Sequence, residues 1–551
     1  MKKITLFFSV IIFSLNVFSQ APNWSWARSA GGDNDDIAHR VAADAQGNVY
    51  MTGYFNSPYI TFDTTNLNNV DGFSNDIFIA KYDSSGNMLW ARAAGGGYGD
   101  FGYGVATDAS GNVYVTGCFD SPTITFGTIT LNNSGSNDIF VVKYDSSGNV
   151  LWARSASGNN DDVGYAITTD ANANVYVTGY FASPTLTFGT TTLTNADFHD
   201  FFLAKYDSSG NVLWARSASG SNYDEGYGVA VDASGNVYVT GNFFTASVTF
   251  GTTTLNSSGN LDIFIAKYDS SGNVLWAQRA GGSDGDNSTG IVTDGNGNAY
   301  LTGWFASTSI TFGTTTMNNA GIYDMFIAKY DSSGNVLWAK SAGGNNWDKG
   351  LGISADASGN TFVTGFFVST SITFGTTTLS NPFLYTKIFI VKYNSNGIVL
   401  WVKAAGGSGG QVWGSDVVAD VNGNIYITGA FNNSSIVFGT TTLYNDGDPF
   451  NDVFLAKLAY NTTGINETET FTSGILVFPN PAGNELRIKN PELRIESIVV
   501  WDMFCKIAIS YQPSANSQKP IILDVSKLNP GIYFVKVRGE KGERVAKFVK
   551  E

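Results

Sequence analysis

Val212-Leu213-Trp214-Ala215-Arg216 is one of seven near-copies of a short segment whose tryptophan recurs as Trp26, Trp90, Trp152, Trp214, Trp276, Trp338 and Trp401. The intervals are 64, 62, 62, 62, 62 and 63 residues. A fixed period of that length marks a repeat architecture, in which each unit buries its apolar face against its neighbours.

Each unit reads as four strands. In the third copy these are Tyr165 to Asp170 (A), Val175 to Phe181 (B), Asp200 to Tyr206 (C) and Asn211 to Ser217 (D), all rich in β-branched and aromatic residues. Asp-Ala-Ser-Gly-Asn joins A to B, and Asp-Ser-Ser-Gly-Asn joins C to D, as at Asp207 to Asn211. Glycine suits the left-handed position of such a turn, and aspartate bonds the backbone ahead of it. These turns superficially resemble calcium loops but lack the alternating oxygen ligands such a loop needs. Calcium is therefore conceivable but has no specific loop motif behind it, and no metal site or cofactor is assigned. A further stretch, Thr185 to Leu193, reads as an extra hairpin between B and C that protects the sheet edge.

Strand counting predicts how the repeats close. The mature chain is expected to begin with a D strand, Trp24 to Ser29, and the seventh copy stops after its C strand, Asp452 to Leu458. The N-terminus thus supplies the missing strand of the last unit, which closes a ring and removes its open ends. Six residues before the closing Asp of each A strand stand Ala38, Gly102, Gly164, Gly226, Ser288, Gly350 and Gly414, all small, as a crowded ring axis would demand. Two positions further on, the only charges are Arg40 and Asp416, in the first and seventh copies. They are expected to approach across the seam of a closed ring, the alternative being two solvated charges in a wet channel.

The prediction is an all-β chain: a seven-bladed β-propeller closed by an N-terminal strand (20–458), a linker (459–474), and a small immunoglobulin-like β-sandwich (475–551). The units resemble the SBBP β-propeller repeat family, whose Asp-x-x-Gly-Asn-Val-Tyr-Val-Thr-Gly core stands at Asp108 to Gly117 and Asp232 to Gly241. The resemblance covers residues 23 to 458 and implies the fold; it says little of function.

After Leu458 the periodicity stops. The last segment resembles the C-terminal sorting domain of the type IX secretion system of Bacteroidetes. Three places carry the likeness: Pro479-Asn480-Pro481 with Leu486 and Ile488, the Gly531-x-Tyr533-x-Val535 strand, and a terminal basic strand, Val545 to Lys550, ending Lys547-Phe548-Val549-Lys550. The likeness implies export through the Sec pathway and then across the outer membrane, with the type IX translocon as partner and a secreted or cell-surface destination. Lys2-Lys3 followed by the apolar run Ile4 to Val17, with Val17 and Ser19 before the cut, reads as a signal peptide over 1–19. That run is short for a membrane span and no lipid-accepting cysteine follows it, so no transmembrane segment is expected in the mature chain.

The chain has 551 residues, net charge -15, and only 14% charged residues. Residues 475–551 hold 12 Lys or Arg against 8 Asp or Glu, leaving -19 on the rest. A field of that sign repels nucleic acid and favours cations or neutral, hydroxyl-rich ligands. Two cysteines, Cys118 and Cys505, exclude a disulfide framework.

The D-to-A and B-to-C loops vary most between copies and emerge on one face, the expected binding face. Eight residues before the closing Asp of each A strand stand Asp36, Asp100, Asp162, Asp224, Asp286 and Asp348 in six copies, with Val412 in the seventh. A ring of carboxylates suits a cation or sugar hydroxyls, and equally suits capping loops or bridging blades. Phe101, Tyr223, Trp347 and Trp413 suit stacking on sugar rings, or packing between blades. His39 and His199 are the only histidines and no catalytic motif surrounds them. A non-catalytic recognition or structural protein of the cell surface, contacting glycan or surface protein, is the leading expectation. The alternatives are a secreted polysaccharide hydrolase or lyase, and a ligand-free spacer or calcium-stabilised scaffold.

Overall fold

The computed structural model describes residues 21–460 except 219, 221, 245, 357, 408 and 447–448, and in the tail 476–478, 482–489, 495–502, 507–512, 521–529, 531–539 and 542–550. The signal peptide, most of the linker, Cys505 and Pro479, Asn480 and Pro481 lie outside the described residues. The chain divides into two compact units, 1–461 and 462–551.

The first unit is a ring of seven antiparallel sheets, each with strand order A-B-C-D. In the third these strands are Asp162–Thr169, Val175–Phe181, Asp200–Tyr206 and Val212–Ala218. The A strand starts three residues before the Tyr165 expected from the sequence, because a bulge between Gly164 and Ala166 lets the ladder run on to Asp162. The same bulge recurs in the other six A strands.

The seventh sheet joins Val412–Ala419, Ile425–Phe431, Asp452–Ala459 and the N-terminal Asn23–Gly31. The last two pair antiparallel from Trp24 opposite Leu458 to Ala30 opposite Val453. Each A strand packs against those of the neighbouring blades, and that of the seventh packs against that of the first. The ring is closed.

Neighbouring blades are stitched by the residues that set the period. The Trp152 indole donates to the Ser208 carbonyl of the next blade at 3.1 Å. The turn that supplies that carbonyl contains Gly210, at φ +80°, where a methyl group would fall 2.8 Å from the Trp152 ring. Glycine is required there twice over, by its backbone conformation and by the indole. Trp401 shows what closure costs this scheme. The last blade has no C-to-D turn of its own, and the indole donates instead to the Tyr460 hydroxyl at 3.2 Å.

The small A-strand residues act differently from the expectation that they crowd the axis. A methyl group at Gly164 would lie 2.5 Å from Thr116 Oγ1 of the preceding blade, and one at Gly350 would lie 2.6 Å from Thr302 Oγ1. Their demand is close contact between blades. Residues two positions on, Gly104, Ala166, Gly228, Gly290 and Gly352, line the axial cavity instead.

The extra hairpins cover edges, as in Ala30 opposite Phe62 and Ala280 opposite Phe312, where the hairpin of one blade pairs with the outer strand of the blade before it. The turn aspartates spend both oxygens at home. Asp44 Oδ1 accepts from the Gln46 and Asn48 amides, while Oδ2 accepts from Asn48 Nδ2 and the Tyr50 hydroxyl. These carboxylates cap turns. Chelator is accordingly expected to leave the thermal midpoint unchanged, since only a ligand of the native state raises it; a fall of several degrees would show a bound cation.

The tail unit is a two-sheet sandwich. One sheet holds Leu476–Phe478, Glu485–Lys489 and Ile521–Asp524; the other holds Ile507–Tyr511, Ile495–Asp502, Gly531–Gly539 and Gly542–Lys550. Leu486, Ile488, Val500, Tyr533, Val535 and Phe548 share its core. Gly531 pairs with Lys550 and Phe534 with Lys547 along the last ladder. Among the described residues no helix is long and apolar enough to cross a membrane.

Candidate functional site

The face formed by the D-to-A and B-to-C loops carries several of the exposed aromatic side chains of the ring, while Tyr59 and Tyr444 are exposed on the edge hairpins. Phe73 is 84% exposed, Phe383 73%, Phe198 54%, Trp347 47% and Tyr223 42%. Phe101 and Trp413 are half-buried, Phe101 stacked on Tyr103 and set edge-on to Tyr54. Of the four aromatics singled out from sequence, Tyr223 and Trp347 therefore face solvent, Phe101 packs against neighbouring rings, and Trp413 is half-buried.

The six A-strand aspartates are not on the surface. All are 0% exposed. Asp36 accepts from Ser57 Oγ at 2.9 Å, Asp100 from Ser121 Oγ at 2.8 Å, and Asp162 from Ser183 Oγ at 2.7 Å. Asp286 and Asp348 repeat the contact with Ser307 and Ser369. Burial raises their carboxyls despite these bonds, Asp36 to about 8, Asp100 and Asp162 to about 7, and Asp286 to about 6. Asp36, Asp100, Asp162, Asp286 and Asp348 hold the B-to-C loop onto its own blade, and the six buried carboxylates offer no open ring to a ligand.

Arg40 and Asp416 line a cavity of about 120 Å³ on the ring axis. Asp416 Oδ2 accepts from the Val41 amide of the first blade at 3.1 Å, which ties the seam. Burial pushes its carboxyl up to about 6, and the charge of Arg40 opposes the rise. The guanidinium itself reaches across the axis to the Thr289 carbonyl of the fifth blade at 3.1 Å.

Two clusters on the variable face join Tyr223, His199 and Trp347, named from sequence, to Glu225, Tyr227, Lys349, Tyr323 and Trp304, which the sequence reading did not single out. Between the third and fourth blades, His199 Nδ1 meets Glu225 Oε1 at 2.7 Å, and Glu225 Oε2 accepts from the Tyr227 hydroxyl. The imidazole lies flat on Tyr180 at 4.0 Å, with Tyr223 edge-on at 4.5 Å and Phe198 stacked beyond it. With Nδ1 engaged by the carboxylate, the imidazole orientation is fixed. Between the fifth and sixth blades the corresponding positions hold Tyr323, Lys349, Trp304 and Trp347. The signal was available: Glu225 is the sole glutamate in the first 458 residues.

A closed ring of repeated four-stranded sheets is a β-propeller. The β-propeller repeat model SBBP matches residues 89–117, 213–242, 275–304 and 400–430, and the secretion system C-terminal sorting domain model matches 476–551. The chain carries SBBP repeats and a type IX sorting domain, which implies a Bacteroidetes origin, engagement with that secretion system, and export to the cell surface or beyond. It is 25% identical over 511 residues to an uncharacterized WD repeat-containing protein of Acanthamoeba polyphaga mimivirus, covering 75% of this chain and 36% of that protein. It is 27% identical over 244 residues to the regulatory protein FlaEY of Caulobacter vibrioides, covering 41% of this chain and 25% of that one. The chain thus spans about a third and a quarter of the length of these curated relatives. A solved structure of YCF48 with a bound peptide aligns at TM-score 0.36 and 8% identity, over 81% of this chain and 99% of that one.

Proposed function

We propose that the propeller is a non-catalytic recognition domain that binds glycan through its variable face at the cell surface or outside the cell. The observation that carries this reading is the segregation of the two faces. Exposed Phe73, Phe198, Tyr223, Trp347 and Phe383 stand on the face where the copies differ, while the opposite face repeats nearly the same Asp-Gly turns. Aromatic rings offer flat apolar surface for sugar rings, and an acidic body disfavours nucleic acid. The reading invokes no metal, since a turn carboxylate such as Asp44 already accepts from two backbone amides, the Asn48 side chain and the Tyr50 hydroxyl.

The His199–Glu225–Tyr227 cluster favours a second reading, a polysaccharide hydrolase or lyase, since a carboxylate-held imidazole is a common base. Against it, both oxygens of Glu225 are already bonded, leaving no free carboxylate to partner it. A glycan array run beside a turnover assay on the purified full-length chain separates the two. Retained glycans without products are expected, and Tyr223→Ala should weaken retention about tenfold, the loss of roughly 1.4 kcal/mol of stacking. Turnover abolished by Glu225→Gln would overturn the non-catalytic reading.

A further inference from the structure

The seven blades do not share the charge of the ring. Between Asp348 and Ala405 the sixth blade has two aspartates, Asp348 and Asp356, against Lys349, Lys387, Lys392 and Lys403, a net +2. Counted the same way, from the start of A to the end of D, the other six blades each carry -2 or -3. Neither acid of the sixth blade lies on its variable face. Asp356 caps an A-to-B turn on the opposite face, and Asp348 is buried against Ser369 Oγ at 2.6 Å.

Lys349 is the cation this blade presents beside the exposed aromatics. Its Nζ sits 4.0 Å from the centroid of Trp304 and 4.4 Å from that of Tyr323, in contact with π faces. Burial pushes its ammonium down, and among the described residues no carboxylate offsets that burial. The C-strand lysines differ: Lys143, Lys267 and Lys329 each lie within 4.0 Å of a turn aspartate and donate to a serine carbonyl. Trp347, 47% exposed, completes the cluster, its ring 6.1 Å from Tyr323. Lys387 adds a second positive charge at the start of the C strand, where the other six blades have aspartate.

We propose that Lys349, with Trp347, Tyr323 and Trp304, forms a subsite for a sugar bearing a carboxylate, the acid group meeting the ammonium and the ring lying on Trp347. A half-desolvated ammonium without a counter-ion gains most from an anionic partner, because the attraction is little screened there. The exposed indole supplies the flat contact a pyranose needs. The ligand is a glycan ending in one acidic sugar, because a single ammonium, that of Lys349, is held among the aromatic rings. The inference rests on the glycan-binding reading above and narrows it.

The test uses the full-length chain and two matched probes, an oligosaccharide ending in glucuronic acid and its carboxyl-reduced glucose counterpart, titrated calorimetrically at low and high salt. The acidic probe is expected to bind about tenfold tighter at low salt, with the preference shrinking as salt rises. Lys349→Met should abolish the preference while leaving neutral binding, Lys349→Arg should keep it, and Trp347→Ala should weaken both probes. Equal binding of the two probes, or a preference that survives Lys349→Met, overturns the subsite and leaves the glycan reading standing. Binding of neither probe, together with an empty glycan array, overturns both. Capture of an acidic protein segment in place of the glucuronic probe also overturns the sugar assignment.

Discussion

Deleting Asn23–Gly31 is expected to abolish cooperative folding of the ring. The strand is remote in sequence from everything it completes, yet it pairs along its length with Asp452–Ala459 and contributes to two hydrophobic clusters, Trp26 and Ala30 to one and Ala27 to the other. It also links the last blade to the first: the Trp26 indole donates to the Ser84 carbonyl at 3.2 Å, and Arg28 Nε to the Gly86 carbonyl at 3.0 Å. Each ladder bond adds about 1 kcal/mol net, and the buried indole about 1.5–3 kcal/mol. Their sum is comparable to the ~5–15 kcal/mol by which an entire domain is stable. Removal would also leave a long, unpaired strand edge, a template for aggregation. The truncated chain should show no sharp thermal transition and should elute as oligomers, whereas Trp26→Ala alone should cost about 3–5 kcal/mol. A truncated chain that stays monomeric and melts with the intact one would refute closure by this strand.

How far the sequence reveals this architecture depends on which features repeat. Trp214 and its six counterparts, the turn glycines and the out-of-phase start are periodic, and a period can be read from one chain without knowing any contact. The A-strand bulge at Gly164 was invisible because a single extra residue changes register without changing composition. Asp36 shows a different failure. Its partner Ser57 lies 21 residues away across the blade, and only the folded sheet shows that the carboxylate points inward. Gly164 and its counterparts were recognised as requiring small side chains, but the obstacle is Thr116 of the preceding blade and not the ring axis. Lys349 and Glu225 mark the boundary of what periodicity offers. They occupy the same position of different blades, where all seven residues differ, and what each does there comes from the side chains of the adjoining blade.

Stability of the propeller is expected to fall as pH rises from 5.5 to 9. Burial raises the folded-state carboxyls of Asp36 to about 8, of Asp100, Asp162 and Asp452 to about 7, and of Asp76, Asp138, Asp200, Asp286, Asp324 and Asp416 to about 6. Below pH ~4 both folded and unfolded chains hold these protons, and the stabilisation is fully present. Above it the unfolded chain releases them first, so the folded state binds more protons and stability declines with pH until the folded groups ionise, between about 6 and 8. The exposed turn carboxylates Asp83, Asp145 and Asp207 are held below the ordinary value chiefly by bonds from Asn and backbone amides, and they act in the opposite sense only under strongly acidic conditions. The optimum therefore lies on the acid side of neutrality. A tenfold difference in proton affinity between folded and unfolded chains corresponds to about 1.4 kcal/mol, so the set produces an effect on the order of several kcal/mol between pH 5.5 and 9. Chemical denaturation across that range measures it. Asp36→Asn, which leaves the loop its hydrogen-bonding shape without the titrating proton, should flatten the slope; a stability that is level or rises toward pH 9 would mean these carboxyls are ionised in the folded ring.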